Sequence, residues 1–490
     1  MSVCWGFSQV RPCHARPVGA TVAAGPASRQ QPRGGFHEAT HFVPPRLARG
    51  WRKPAVLECA DGMNSRILTI AAGALLLIWP AFANGYPLLF SDSAAFMAQL
   101  LRPVMLWDKP WVYGPALVAS SLTLTLWLPA VAQGWLLSWV LWRVWGVFGA
   151  PSPARHLGLC GLLALVSAAP WFAPLLMPDI LAPVTVLTLF VLAFQPDNER
   201  RWPSILTATF AIAAHLAHLP VAATCAALVL LLRPRRFAIA ITPIALACAV
   251  LLTSNVIGHG RFSLSPYGSV FVLSRLTTDG PGRDFLTEVC PDPNFRLCEW
   301  VGRFPADSDD FMWDPHGPVW TYPGGPIGLA PEATRIVVAT LRSRPLAVAR
   351  SAAGNMFQQL IMTRLDRTFA DFGYDRRIGD QLRAHYPGWE LARFMASAQR
   401  RDGLRAIAAP WQGLHAGFVA AGSVLSLALL VWSWRRDRLL FGFILLIAAG
   451  MLANAFVTGA LSGPTDRYQA RIAWLVLLPP FLWAARVRGR

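Results

Sequence analysis

The sequence predicts an all-α polytopic membrane protein, with about ten transmembrane helices and one large extracytoplasmic loop domain. Three observations predict it. Of the 490 residues, 54% are hydrophobic and only 14% charged, where a soluble domain carries about a quarter charged residues. Apolar stretches recur at the length a helix needs to cross a bilayer, about 20 residues, or somewhat less where neighbours shelter its ends. Finally, 42 of the 44 basic residues are Arg, grouped in short clusters at the ends of those stretches. That placement reads the net charge of +18 as membrane topology and argues against nucleic acid as a partner.

Residues 1–62 differ from the rest. They hold 14 Pro and Gly, eight Arg or Lys, three acids and no apolar periodicity. Such a stretch cannot bury enough surface to offset its ordering entropy. It is expected to be a disordered tail, with Met63 a candidate start. The membrane part opens with the apolar run 67–83. Its closing Ala81-Phe82-Ala83 mimics a signal-peptide cleavage site, but nine further spans favour a first transmembrane helix. Those spans centre on 131–148, 157–172, 180–194, 205–215, 219–232, 237–257, 411–434, 440–460 and 472–485. The domains predicted are therefore 1–62, a seven-span part 63–257, a loop domain 258–409 and a three-span part 410–490.

Orientation follows from Arg asymmetry. With the N-terminus cytoplasmic, the later inside segments carry twelve Arg and the short outside loops four basic residues, Arg102, Lys109, Arg467 and Arg471. Both termini are then cytoplasmic, the membrane is the cell's inner (plasma) membrane, and 258–409 lies outside. That segment holds 16 of the 26 acids. Its Pro/Gly-rich first half reads as loops and turns. Its second half, near 332–365, has helical periodicity in Ile336, Val337, Leu341, Leu346, Val348 and Phe357. Cys290 and Cys298, with seven residues between them, predict a disulfide in an oxidising compartment. Cys160, Cys225 and Cys248 fall in spans and read as packing residues.

Chemistry is sought first among the acids, because residues 63–257 hold just five. Asp197 and Glu199 sit beside Arg200 and Arg201 and read as solvated charge. Asp92, Asp108 and Asp179 all fall on the outer side, each next to a span. An ionisable group at mid-membrane costs roughly 2.5–3.5 kcal/mol, so one beside the hydrocarbon needs a partner or a purpose. Asp92 reads as a carboxylate general base or metal ligand, or as a cap for a helix starting at Ser93. Asp179, in Met177-Pro178-Asp179-Ile180, is the second candidate catalytic carboxylate, or the cap of span four. Asp108 pairs naturally with Lys109.

His215 and His218, at i and i+3, share a helix face. They suit a substrate contact, a metal, or a sheltered polar turn. Arg467 and Arg471 suit a lipid phosphate through forked hydrogen bonds, or an internal salt bridge with Asp466 or Asp179. The cluster Trp313-Asp314-Pro315-His316-Gly317 consists of turn formers first. Phosphate-loop, dinucleotide, zinc-protease and nucleophile-elbow motifs are all missing.

A first span, then Asp92 in the first outer loop, an amphipathic segment, and Asp179 in the next outer loop: this order resembles the GT-C glycosyltransferases. Those multi-span enzymes, among them protein O-mannosyltransferases and aminoarabinose transferases, use polyprenyl-phosphate-linked sugars. The resemblance implies that Asp92 is the catalytic base or helps hold a divalent metal. Lys109-Pro110 is similar to the Lys-Pro of aminoarabinose-type enzymes. Asp466-Arg467-Tyr468-Gln469-Ala470-Arg471 resembles the Arg-Tyr segment preceding a late span in several such families. The likeness covers most of 63–490 in architecture but only short motifs in sequence. It departs at the Asp-x-Asp signature, since Ser93 and Ala94 follow Asp92. Uncharacterised bacterial multi-span proteins share the Gly-Tyr-Pro, Met-Pro-Asp and Asp-Arg-Tyr pieces as well.

The resemblance thus implies transfer of a sugar from a polyprenyl-phosphate carrier to an acceptor at the outer face of the membrane. Asp92 and Asp179 would be catalytic, with Asp108, Lys109, His215, His218, Arg467, Tyr468 and Arg471 binding substrate. The partners implied are the sugar lipid and membrane lipids. No cofactor is assigned, and a divalent metal stays open. Two alternatives stand beside it. One is a non-catalytic assembly protein for envelope polysaccharide. The other is a transporter or lipid flippase, although matching halves and charges near a span's centre are missing.

Overall fold

A computed structural model describes residues 55–149, 151–290, 295–369, 375–401 and 403–487. The chain divides into two units, Met1–Leu68 and Thr69–Arg490. Of the first, residues 55–68 are described and are helical. The predicted disordered tail 1–62 therefore lies mostly outside the described residues, but 55–62 form helix rather than disorder.

The described residues are mostly helical, and they contain no strand, only one isolated bridge between Leu88 and Leu175. Four helices are long and apolar enough to cross a membrane: Pro234–His259, Leu404–Ser433, Arg438–Leu461 and Asp466–Val487. Asn64–Leu77, Pro153–Val166, Pro178–Phe194, Trp202–Ala213 and His218–Leu232 are apolar but shorter. Each predicted span falls on helix, the remaining one on Trp127–Phe148.

Leu181–Phe194 is the central element, buried on every face, as expected of a helix apolar all round. Arg438–Leu461 packs against it at Gly450, where a Cβ would stand 2.5 Å from Val186 Cγ2. Small residues at a crossing let two backbones approach. The segment after Phe237–His259 has its own core, with Val270, Leu273, Phe311, Leu329 and Ile336 inside. Glu332 is buried there and accepts hydrogen bonds from the backbone N–H of Arg296 and Leu297 and from the Tyr322 hydroxyl. Cys290 and Cys298 are disulfide-bonded, with Cα atoms 5.2 Å apart.

The structure corrects one expectation here. The Pro/Gly-rich half of the segment is not loops and turns: it carries Gly268–Thr278, Pro281–Val289, Ser308–Trp313 and Gly325–Ser343 as helices. Pro281, at the first helical position with no N–H to leave unpaired, starts one of these helices rather than breaking it. The periodic stretch 332–365 is two helices, interrupted at Pro345, which opens Pro345–Ile361. The helix Leu404–Ser433 carries Pro410 within it and runs across position 409.

Candidate functional site

The segment between the first helices and Ser93 is extended and held from two sides. Leu88 N–H donates to Pro174 O at 3.1 Å and Leu176 N–H to Leu88 O at 2.8 Å. Opposite, the Gln399 amide donates to Leu89 O at 2.7 Å and accepts from Leu89 N–H at 3.0 Å. Gln399 is fixed in turn by its own N–H on Asn84 Oδ1, at 2.7 Å. Tyr86 donates to buried Glu390 at 2.6 Å, and the Leu126 N–H meets the same oxygen at 2.7 Å. A rigid strap thus delivers Asp92 to the start of Ser93–Leu101.

Asp92 occupies the N-cap position but makes no capping hydrogen bond. Ser93 does the local work: its Oγ accepts from Phe90 N–H and donates to Leu176 O. The Asp92 carboxylate, 37% exposed, instead faces Lys109, its Oδ1 3.3 Å from Nζ. Lys109 also donates to Asp108, and both of those side chains are largely, though not fully, shielded from solvent. Burial alone would lower the Lys109 ammonium, but the carboxylates of Asp92 and Asp108 outweigh it and hold its pKa above the usual lysine value. It therefore stays charged at any physiological pH. The loop bearing it is pinned by Gln99, which donates to Pro110 O at 3.1 Å and accepts from the Trp111 indole at 2.9 Å. Gly114 permits this packing, since a Cβ there would come within 2.3 Å of Phe96 O.

Asp179 lies in the short turn Pro178–Ile180 and is only 1% exposed. It is a charge partner rather than a cap. Arg471 Nη1 is 3.3 Å away and Arg467 Nε 3.7 Å. Arg471 also donates to Asn454 Oδ1 at 3.0 Å, and Asn454 donates to Tyr468 O and Gln469 Oε1. Arg467 sits over the Phe90 ring at 4.0 Å. It is 7% exposed, and its Nη1 has no hydrogen-bond partner among the described residues.

These clusters meet. Asp92, Asp108, Lys109, Asp179, His215, Arg467 and Tyr468 line one cavity of about 500 Å³. Two carboxylates share one ammonium in one cluster, and two guanidiniums share one carboxylate in the other. The lining therefore couples an anion-rich group to a cation-rich one. His215 contributes through its ring: Nδ1 accepts from Ala217 N–H at 3.2 Å, so the neutral ring carries its proton on Nε2. His218 is fully buried behind it, bonded through Nδ1 to Ala211 O at 2.7 Å. His218 and Arg471 thus support the lining without reaching the cavity. Cys290 and Cys298 belong to the other core.

Among the described residues, no group of three or more His, Cys, Asp and Glu is placed to hold a metal. The donor set at Asp92 and Asp108 is filled by an ammonium instead. Sequence reasoning missed Asn84, Gln99, Glu390, Gln399 and Asn454, which fix the charged residues in place. Neutral amides carry no pattern, and Gln399 is 310 positions from its partner Leu89. No family model, curated protein or solved structure matches the chain.

Proposed function

We propose that the chain is a membrane transferase, which moves a sugar from a polyprenyl-phosphate carrier to an acceptor hydroxyl at the outer membrane face. The observation that carries this reading is the single cavity uniting Asp92 with a buried, incompletely paired Arg467. A phosphodiester oxygen suits the free Arg467 N–H, because guanidinium and phosphate form charge-assisted hydrogen bonds. Tyr468, His215 Nε2–H and Lys109 supply further donors to the same space. Asp92 takes the proton of the acceptor hydroxyl as that oxygen bonds to the anomeric carbon. The bond from the anomeric carbon to the phosphate oxygen breaks, and polyprenyl phosphate leaves with its electron pair, beside Arg467. The proton ends on Asp92 and passes to water.

The reading includes ten crossings, both termini cytoplasmic and residues 258–409 outside. Short apolar helices suffice for crossing where neighbouring helices cover their ends, and the Arg bias sets the direction. Reporter fusions after Arg236 and within 300–330 are expected on opposite sides of the membrane. Reporters on one side would remove Phe237–His259 from the crossings.

The function itself is tested with the full chain in lipid nanodiscs, supplied with polyprenyl-phosphate-linked sugars. The expected result is release of polyprenyl phosphate together with a glycosylated product. Arg467→Gln removes the charge but keeps a donor, and is expected to raise the donor KM roughly 10-fold or more, the worth of a charged hydrogen bond. An unchanged KM, or no turnover of any such donor, rejects the reading.

A further inference from the structure

A second and larger cavity, of about 1000 Å³, adjoins the first and shares Asp92, Asp108, Lys109 and Trp313 with it. We infer that this cleft is a carbohydrate subsite, which takes a neutral oligosaccharide as acceptor. Calling that ligand the acceptor rests on the transferase reading; the carbohydrate recognition does not.

Three tryptophans line the cleft: Trp107, Trp313 and Trp320. Trp313 and Trp320 are 44% and 45% exposed, a large apolar area to leave in water. Each ring is nonetheless fixed. Trp107 stacks on Phe271 at 5.3 Å and meets Trp313 at 5.9 Å, and the Trp320 indole donates to Met312 O at 2.9 Å. Aromatic faces carry negative charge density, which attracts the weakly positive C–H face of a pyranose. Rigid rings present that face at little entropic cost.

The polar lining agrees. Gln381 is 4% exposed and lines the cleft, yet its Oε1 has no hydrogen-bond partner among the described residues. A buried acceptor left unpaired costs about 1–3 kcal/mol, and a sugar hydroxyl is a fitting donor for it. Arg102, Arg377 and Lys109 offset Asp380, Asp92 and Asp108. The formal charges cancel, which suits a neutral, hydroxyl-rich ligand better than a nucleotide or another polyanion. The volume is at the upper end of the ~300–1,000 Å³ typical of small-molecule sites, more than a single sugar ring fills. A sugar entering here would bring a hydroxyl to Asp92, one of the four residues common to both cavities.

The test uses the full chain in a detergent without a sugar headgroup. Neutral tetrasaccharides of glucose, mannose and galactose are titrated, with a tetrapeptide amide and a nucleoside diphosphate as comparisons, reading heat and tryptophan fluorescence. Saturable binding of at least one tetrasaccharide is expected. Trp320→Ala and Trp313→Ala should each weaken it roughly 10-fold, and Trp320→Phe should recover most of the loss by restoring a ring face. Helix content and the thermal midpoint identify any variant that misfolds, and the Phe variant then carries the comparison. No tetrasaccharide binding by folded protein, wild-type affinity in both Ala variants, or saturable binding of the peptide or nucleotide alone overturns the inference. A chain that consumes a lipid-linked donor but binds no oligosaccharide sinks this inference only. One that binds oligosaccharides but consumes no such donor sinks the transferase reading only.

Discussion

Under the proposed transferase reading, Asp92→Asn is expected to lower sugar transfer by roughly 10²–10⁴-fold, the range for loss of a general base, while protein abundance stays near wild type. The asymmetry comes from the geometry. The carboxylate makes no capping hydrogen bond, and Ser93 satisfies the turn it would have capped. Lys109 loses one partner but keeps Asp108, so no buried cation is abandoned. Asparagine fills the same volume and cannot take a proton. Product formation in membranes lacking the native copy, alongside quantitative blotting, checks it. Full activity in the Asn variant removes Asp92 as the base and favours a non-catalytic assembly role. Reduced abundance in proportion to activity would instead make the residue structural.

Scarcity is what made the charged part of this site legible. Three acids in an acid-poor stretch, Asp92, Asp108 and Asp179, draw notice in a sequence, and all three line one cavity. Glu390 gave no such signal, because it is one of 16 acids in its segment, although it is fully buried and ties Tyr86 to Leu126. Hydropathy located the apolar helices, but not their lengths. Among the described residues only four are both long and apolar enough to cross by themselves, and whether neighbours shelter the shorter ones is a tertiary property that composition cannot express. The Pro/Gly-rich segment misled for a different reason. Gly280, at φ 112°, precedes Pro281, which opens a helix, so residues read as turn formers were helix starts. The tryptophan cleft was likewise hidden, since Trp107 and Trp313 are 206 positions apart and meet only in the fold.

Asp179 is expected to behave oppositely to Asp92: Asp179→Asn should destabilise the protein by about 3–5 kcal/mol, the cost of leaving a buried charge without its partner. Arg471 is 1% exposed, and Asp179 is the one carboxylate it reaches among the described residues. Arg467 shares the same oxygen. Removing that carboxylate leaves two guanidiniums buried together, with Asn454 offering only a neutral acceptor. A catalytic Asp179, as the sequence suggests, would give a stable and inactive protein. A charge partner gives a scarce one, whose remaining molecules unfold at lower temperature. Adding Arg471→Met to Asp179→Asn separates the two. It removes one buried cation and fills its space with a flexible apolar chain, so it should recover much of the lost stability, because a buried ion pair is often replaceable by apolar residues. Thermal unfolding in nanodiscs reads both variants. Wild-type stability in Asp179→Asn with transfer abolished would return Asp179 to the catalytic set, while rescue by the double variant assigns it to pairing with buried Arg471 behind the cavity and holding Arg467 in its lining.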